Sequence, residues 1–108
     1  MAETRLEQLI KFYEEDPTDP FNIYGLALEY YKTDVRKSEE FFNKLLTDFP
    51  DYLPSYYHAG KLKEEVNENE VALTIYAKGM DLAKKLNDQK TLQELKSAYD
   101  ELMFELNG

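Results

Sequence analysis

Residues 71–80 read "VALTIYAKGM", and residues 37–46 read "KSEEFFNKLL". An offset of 34 residues aligns three positions of these segments: Ser38 with Ala72, Phe42 with Tyr76, and Leu45 with Gly79. Upstream, an offset of 33 aligns four more: Ile23 with Tyr56, Tyr24 with Tyr57, Leu26 with Ala59, and Ala27 with Gly60. A fixed period near 34 residues is typical of a repeat built from helix–turn–helix units.

Apolar residues recur three and four positions apart along the whole chain, which indicates helices. Prolines interrupt this pattern in pairs, at "DPTDPF" and "FPDYLPSY", where one helix ends and the next begins. The spacing predicts an all-α fold of about six helices, near residues 3–15, 20–32, 35–48, 53–65, 69–86 and 89–106. Candidate N-caps are Asp34, Asn67 or Asn69, and Asp88.

Two segments carry a further pattern: "IYGLALEY" is followed by Ser38, Phe42 and Pro50, and "YYHAGKL" is followed by Ala72, Tyr76 and Gly79. In these residues the chain resembles the tetratricopeptide repeat family. The resemblance implies an α-solenoid of antiparallel helix hairpins, with two repeats and flanking helices at each end. The chain departs from the family pattern at four positions, which are Leu45, Lys63, Lys84 and Lys85.

We expect one domain over residues 1–108. It divides into an N-terminal helix or degenerate half repeat at 1–17, repeats at 18–50 and 51–86, and a C-terminal capping helix at 87–108. Gly60, Ala72 and Gly79 lack bulk, which predicts that helices approach closely there and that Tyr76 fills the space beside them.

The chain has 22 acidic and 13 basic residues, a net charge of −9, and no cysteine. This charge disfavours nucleic acid and anionic lipid as partners, and it favours a neutral or basic one. Glu3 and Glu7 interrupt the place of a signal-peptide core, and no apolar run approaches a membrane span. We therefore expect a cytoplasmic protein.

No arrangement of residues suggests catalysis, a cofactor or a metal ion. His58 is the only histidine, and its alternatives are a general base, a contact for a bound segment, or an ordinary surface residue. Acidic pairs such as Glu14 and Glu15 fit solvated helix faces. We expect that the protein is not an enzyme.

In the family that this chain resembles, the first helix of each repeat lines a concave groove. The resemblance thus implies a groove formed by Phe21, Tyr24, Leu28, Tyr31, Tyr57, His58 and Lys61. We expect a non-enzymatic scaffold that binds a peptide or protein segment there, as a monomer or weak homodimer. Packing against neighbouring helices is the alternative role of the aromatic residues. The alternative function is self-association through the terminal helices, since Phe104 interrupts the polar face of the last one.

Overall fold

The computed structural model describes residues 3–108, and this part of the chain contains α-helices and no strand. The six helices match the predicted ones to within two residues at each end. Their bounds are α1 Arg5–Glu15, α2 Pro20–Tyr31, α3 Val35–Asp48, α4 Ser55–Glu65, α5 Asn69–Lys85 and α6 Gln89–Asn107. Within residues 3–108, no helix has both the length and the apolar character needed to cross a bilayer.

Side-chain caps begin four of these helices. Asp34 and Asp88 are N-caps as predicted, because their carboxylates accept from the backbone N–H groups of Lys37 and Thr91. The sequence pattern missed two further caps, Thr4 and Asp19.

The expected cap at Asn67 or Asn69 is wrong. Glu68 holds the N-cap position of α5 without a side-chain bond, and Asn69 is already helical. Asn67 instead has a left-handed backbone (φ 63°) and follows the last turn of α4. Its N–H donates to the Glu64 carbonyl, and the Glu68 N–H donates to the Lys63 carbonyl, so this asparagine ends a helix.

The helices form two units. The first unit ends at Tyr52, and in it α2 packs against both α1 and α3. The second unit is Leu53–Gly108, in which α5 packs against α4 and α6, and α4 also contacts α6. Each unit therefore has a central helix with a neighbour on two sides.

In the second unit, α4 and α5 each pack a tyrosine against a glycine of the other helix. The Tyr76 ring of α5 is fully buried against Gly60 of α4, where a Cβ atom would lie 2.2 Å from Tyr76 Cε1. One turn along, Gly79 of α5 faces Tyr56 of α4 and Leu95 of α6, and a Cβ there would lie 2.8 Å from the Tyr56 Cβ and 2.9 Å from Leu95 Cδ1. The predicted close approach at Gly60 and Gly79 is confirmed.

The first unit buries the equivalent positions with different side chains. It has Ile23 and Leu45 at the positions where the second unit has Tyr56 and Gly79, and both residues are fully buried. Ser38, the counterpart of Ala72, is also fully buried, and its hydroxyl donates to the Ala27 carbonyl at 2.6 Å. A polar group is thus accommodated at a helix crossing because it has a backbone partner.

Lys63 is buried although the family pattern prefers tyrosine there. Only 7% of the residue is exposed, and its Nζ lies 3.4 Å from the carboxylate of Glu68 in the following turn. The long aliphatic stem can pack in the position of a ring while the ammonium group reaches the surface.

Replacing Gly60 with alanine tests the close approach. The added Cβ would overlap the Tyr76 ring, which is fully buried, so we expect Gly60→Ala to lower the free energy of unfolding by about 1–3 kcal/mol. Urea denaturation followed by circular dichroism measures the change.

Gly25→Ala is the matched control. Its Cβ would meet only Leu9 Cδ2, at 3.0 Å, which is the mobile end of a side chain. The gain in helix propensity, up to about 1 kcal/mol, then offsets any overlap. Equal losses of stability in the two variants would contradict a specific fit between Tyr76 and Gly60.

Candidate functional site

Four of the predicted groove residues lie on α2 in the first unit. Asp19 accepts from the Phe21 N–H at 2.9 Å and Pro20 occupies the first turn, so the helix begins just before these residues. The spacing of three, four and three residues places all of them on one side of α2. Phe21 is 68% exposed, and the other three are half-buried: Tyr24, Leu28 and Tyr31.

Tyr24 is packed on two sides by other aromatic rings. Its ring meets Phe42 edge-on at a centroid distance of 6.4 Å and Tyr52 at 5.7 Å. Burial is the main cause that raises the pKa of the Tyr24 hydroxyl above its ordinary value, and repulsion from the ionised form of the Tyr52 hydroxyl adds to it. Tyr24 therefore has a structural role within the first unit, and sequence analysis did not identify its contact with Tyr52.

The other three predicted residues lie on α4 in the second unit, which has a groove of about 300 Å³ between α4 and α6. Tyr57 and Lys61 line this groove from α4, one turn apart. His58 packs edge-on against the Tyr57 ring, with centroids 5.5 Å apart. The Lys61 Nζ lies 5.7 Å from the centre of the Tyr57 ring and 3.9 Å from the Glu64 carboxylate.

The opposite wall of the groove comes from α6 and was missed by sequence analysis. The residues of this wall are Gln93, Glu94, Ser97, Ala98 and Glu101. Ala98 is buried and leaves the middle of the groove open because its side chain is small. The signal was present in the sequence, since Glu94, Ser97 and Glu101 each precede a buried residue of α6, namely Leu95, Ala98 and Leu102.

Burial is also the main influence on His58. It lowers the pKa of the imidazole below its ordinary value, while the carboxylate of Glu94 acts in the opposite direction. The neutral ring is therefore favoured near pH 7, as a polar surface with one donor and one acceptor.

The groove offers contacts for binding. Its lining combines an aromatic ring, a lysine, an amide, a hydroxyl and two carboxylates. Within residues 3–108, no group of three histidine or acidic side chains is arranged to hold a metal ion. A half-buried aromatic ring beside exposed polar side chains suits recognition of another protein's side chains.

The single histidine permits a direct test of its environment. The folded-state pKa of His58 is depressed, so this group stabilises the fold above the unfolded pKa of about 6.5, and that contribution is lost as the pH falls through the folded pKa. We expect the Hε1 proton resonance in NMR spectra to titrate at a lower pH in the folded chain than in guanidinium chloride.

Glu94→Gln should lower that midpoint further, because it removes the charge that favours the imidazolium. A midpoint in the folded chain at or above that of the unfolded chain would contradict the burial of His58.

Solved structures include chains that are similar to this one in sequence and in fold. A crystal structure of a tetratricopeptide repeat domain protein from Salinibacter ruber is 37% identical, covers 79% of this chain and 96% of that one, and superposes with a TM-score of 0.75. A solution NMR structure of a tetratricopeptide repeat domain protein from the same organism is 39% identical over 81% of this chain and 89% of that one, with a TM-score of 0.76.

A solution structure of a protein from Bordetella parapertussis has a TM-score of 0.80 over 96% of this chain and 91% of that one, but its 17% identity indicates a shared fold alone. Neither a protein-family model nor a curated protein sequence matches the chain. The repeat period, the six helices and the similarity to the Salinibacter ruber structures together show that this chain belongs to the tetratricopeptide repeat domain family.

Proposed function

We propose that this chain is a non-enzymatic scaffold that binds a peptide or protein segment through the first helices of its repeats. Membership of the tetratricopeptide repeat domain family supports a protein-interaction module in general. The single observation that carries the finer proposal is the groove between α4 and α6, in which Tyr57 and Lys61 face the polar residues of α6.

The dimensions of this groove favour a side chain as its occupant. A volume of about 300 Å³ lies at the lower end of the range for small-molecule sites, and the groove is open to solvent. An extended segment can place one or two side chains there while the rest of it crosses the helix faces. Tyr57 supplies apolar area together with a hydroxyl, a combination that is common where proteins bind one another.

The α2 residues are part of the same proposal for the first unit. Phe21 is the most exposed of them, and it can contact a partner without loss of internal packing. The predicted repeat bounds, a neutral or basic partner, and a cytoplasmic location also remain proposals.

Peptides selected from a random display library provide the test of this function. We expect selected peptides to perturb the NMR signals of Tyr57, Lys61, Ser97 and Ala98, and to bind Tyr57→Ala at least about tenfold more weakly, since central aromatic contacts often contribute 2 kcal/mol or more. Fluorescence anisotropy measures the affinities.

Leu86→Ala is the control, because Leu86 is 54% exposed on the same unit but does not line the groove. Tyr24→Ala is avoided, since its ring packs against Phe42 and Tyr52. Peptides that bind the wild type and Tyr57→Ala equally well would place recognition elsewhere.

One observation favours the alternative of self-association through the terminal helices. Phe104 is 79% exposed and Leu106 is 47% exposed near the end of α6. Two copies of this chain could cover these side chains, although the net charge of −9 on each copy opposes that contact.

Analytical ultracentrifugation distinguishes the two functions. The proposed scaffold is expected to sediment as a monomer at micromolar concentration, and Phe104→Ser should leave its sedimentation coefficient unchanged. A stable dimer that Phe104→Ser converts to monomer would establish the alternative.

A further inference from the structure

Two carboxylates on the α6 wall of the groove, those of Glu94 and Glu101, are exposed, and within residues 3–108 neither takes part in an ion pair or a hydrogen bond. Within the protein, Glu94 acts on the nearby imidazole of His58, whose neutral form is favoured. Three other acidic residues of the second unit, Glu64, Glu68 and Asp100, each lie within 4.0 Å of a lysine ammonium group. The groove therefore carries negative charge that its own residues leave uncompensated.

Lys61 does not cancel this charge. Its ammonium group is shared between the Glu64 carboxylate and the Tyr57 ring on the α4 wall. Tyr57 is half-buried and lines the groove, so part of its ring is open to a further cation, which the negative face of an aromatic ring attracts.

The spacing of the two carboxylates indicates what kind of cation they suit. Their Cα atoms are seven residues apart on α6, which is two helical turns or about 10 Å. The two carboxylates are not part of any group of three histidine or acidic side chains that could hold a metal ion within residues 3–108. A long, flexible organic cation, or two such groups on one segment, can reach them.

We propose that the groove between α4 and α6 selects an arginine- or lysine-containing segment of a partner protein. The cationic group lies over the Tyr57 ring and pairs with Glu94 or Glu101, while its aliphatic stem covers Ala98. This inference rests on the proposed function, for which it names the chemical class of partner. The net charge of −9 adds long-range attraction for such a segment.

An array of nine-residue peptides tests the selectivity. Each random sequence is printed in three versions, with arginine, glutamine or glutamate at the central position. We expect the wild-type chain to retain the arginine versions about tenfold more strongly than the glutamate versions at low salt, with a smaller ratio at high salt. The double variant Glu94→Gln/Glu101→Gln should lose most of this ratio and still bind the glutamine versions, because only charge has been removed.

The double variant Asp81→Asn/Glu105→Gln is the matched control. It also removes two negative charges from the second unit, but at exposed positions outside the groove lining. It should keep the wild-type ratio of arginine to glutamate peptides retained. Equal ratios in the two double variants would overturn the inference, as would a wild-type chain without preference for arginine.

Tyr57→Ala separates this failure from failure of the proposed function. If peptides bind the wild type but not Tyr57→Ala, and show no charge preference, then the groove is the binding site but does not select a basic segment. An array on which no peptide binds the wild-type chain would overturn both.

Discussion

The reciprocal fit between α4 and α5 is the contact on which the second unit depends. Tyr76 fills the gap at Gly60 while Tyr56 fills the gap at Gly79, so each helix contributes one ring and one absent side chain. Gly79 also receives Leu95 of α6, which holds that helix beside α4 and α5. Glu94 lies one residue before Leu95, and Ala98 lies three residues after it. The same glycine that permits close packing therefore also determines which α6 side chains form the groove.

The first unit satisfies the same constraint with a different distribution of volume. Where α4 and α5 pair a tyrosine with a glycine, α2 and α3 have Ile23 and Leu45, both fully buried. Protein interiors tolerate such exchanges when the total volume is conserved, because close packing limits the combined volume of the two side chains more strictly than the volume of either one. This explains why Leu45 can occupy a position where the family pattern prefers a small residue, and why the repeat is clearer in its spacing than in its residue types.

The features that arise from local rules are those that could be predicted from the sequence. Helix positions follow from apolar periodicity, and Asp34 and Asp88 act as caps because a carboxylate there can bond the first free N–H groups. Asn67 was misassigned because asparagine suits both a helix start and a left-handed helix end, and only the path of the chain decides between them. The contact between Tyr24 and Tyr52, and the pairing of the α6 wall with α4, depend on tertiary packing over 28 or more residues. The polar positions of α6 can be recognised beside its buried residues, but no local pattern encodes the helix that they face.

The residues that define the repeat differ from those that we propose for the recognition of a partner. The repeat is specified by buried positions such as Gly60, Tyr76 and Gly79, whose replacement changes packing. The groove is lined largely by side chains outside that core, and Gln93, Glu94 and Glu101 are exposed, so the core leaves their chemistry free to vary. Membership of the family therefore accounts for the packing of the helices, while the proposed choice of partner rests on the carboxylates of α6.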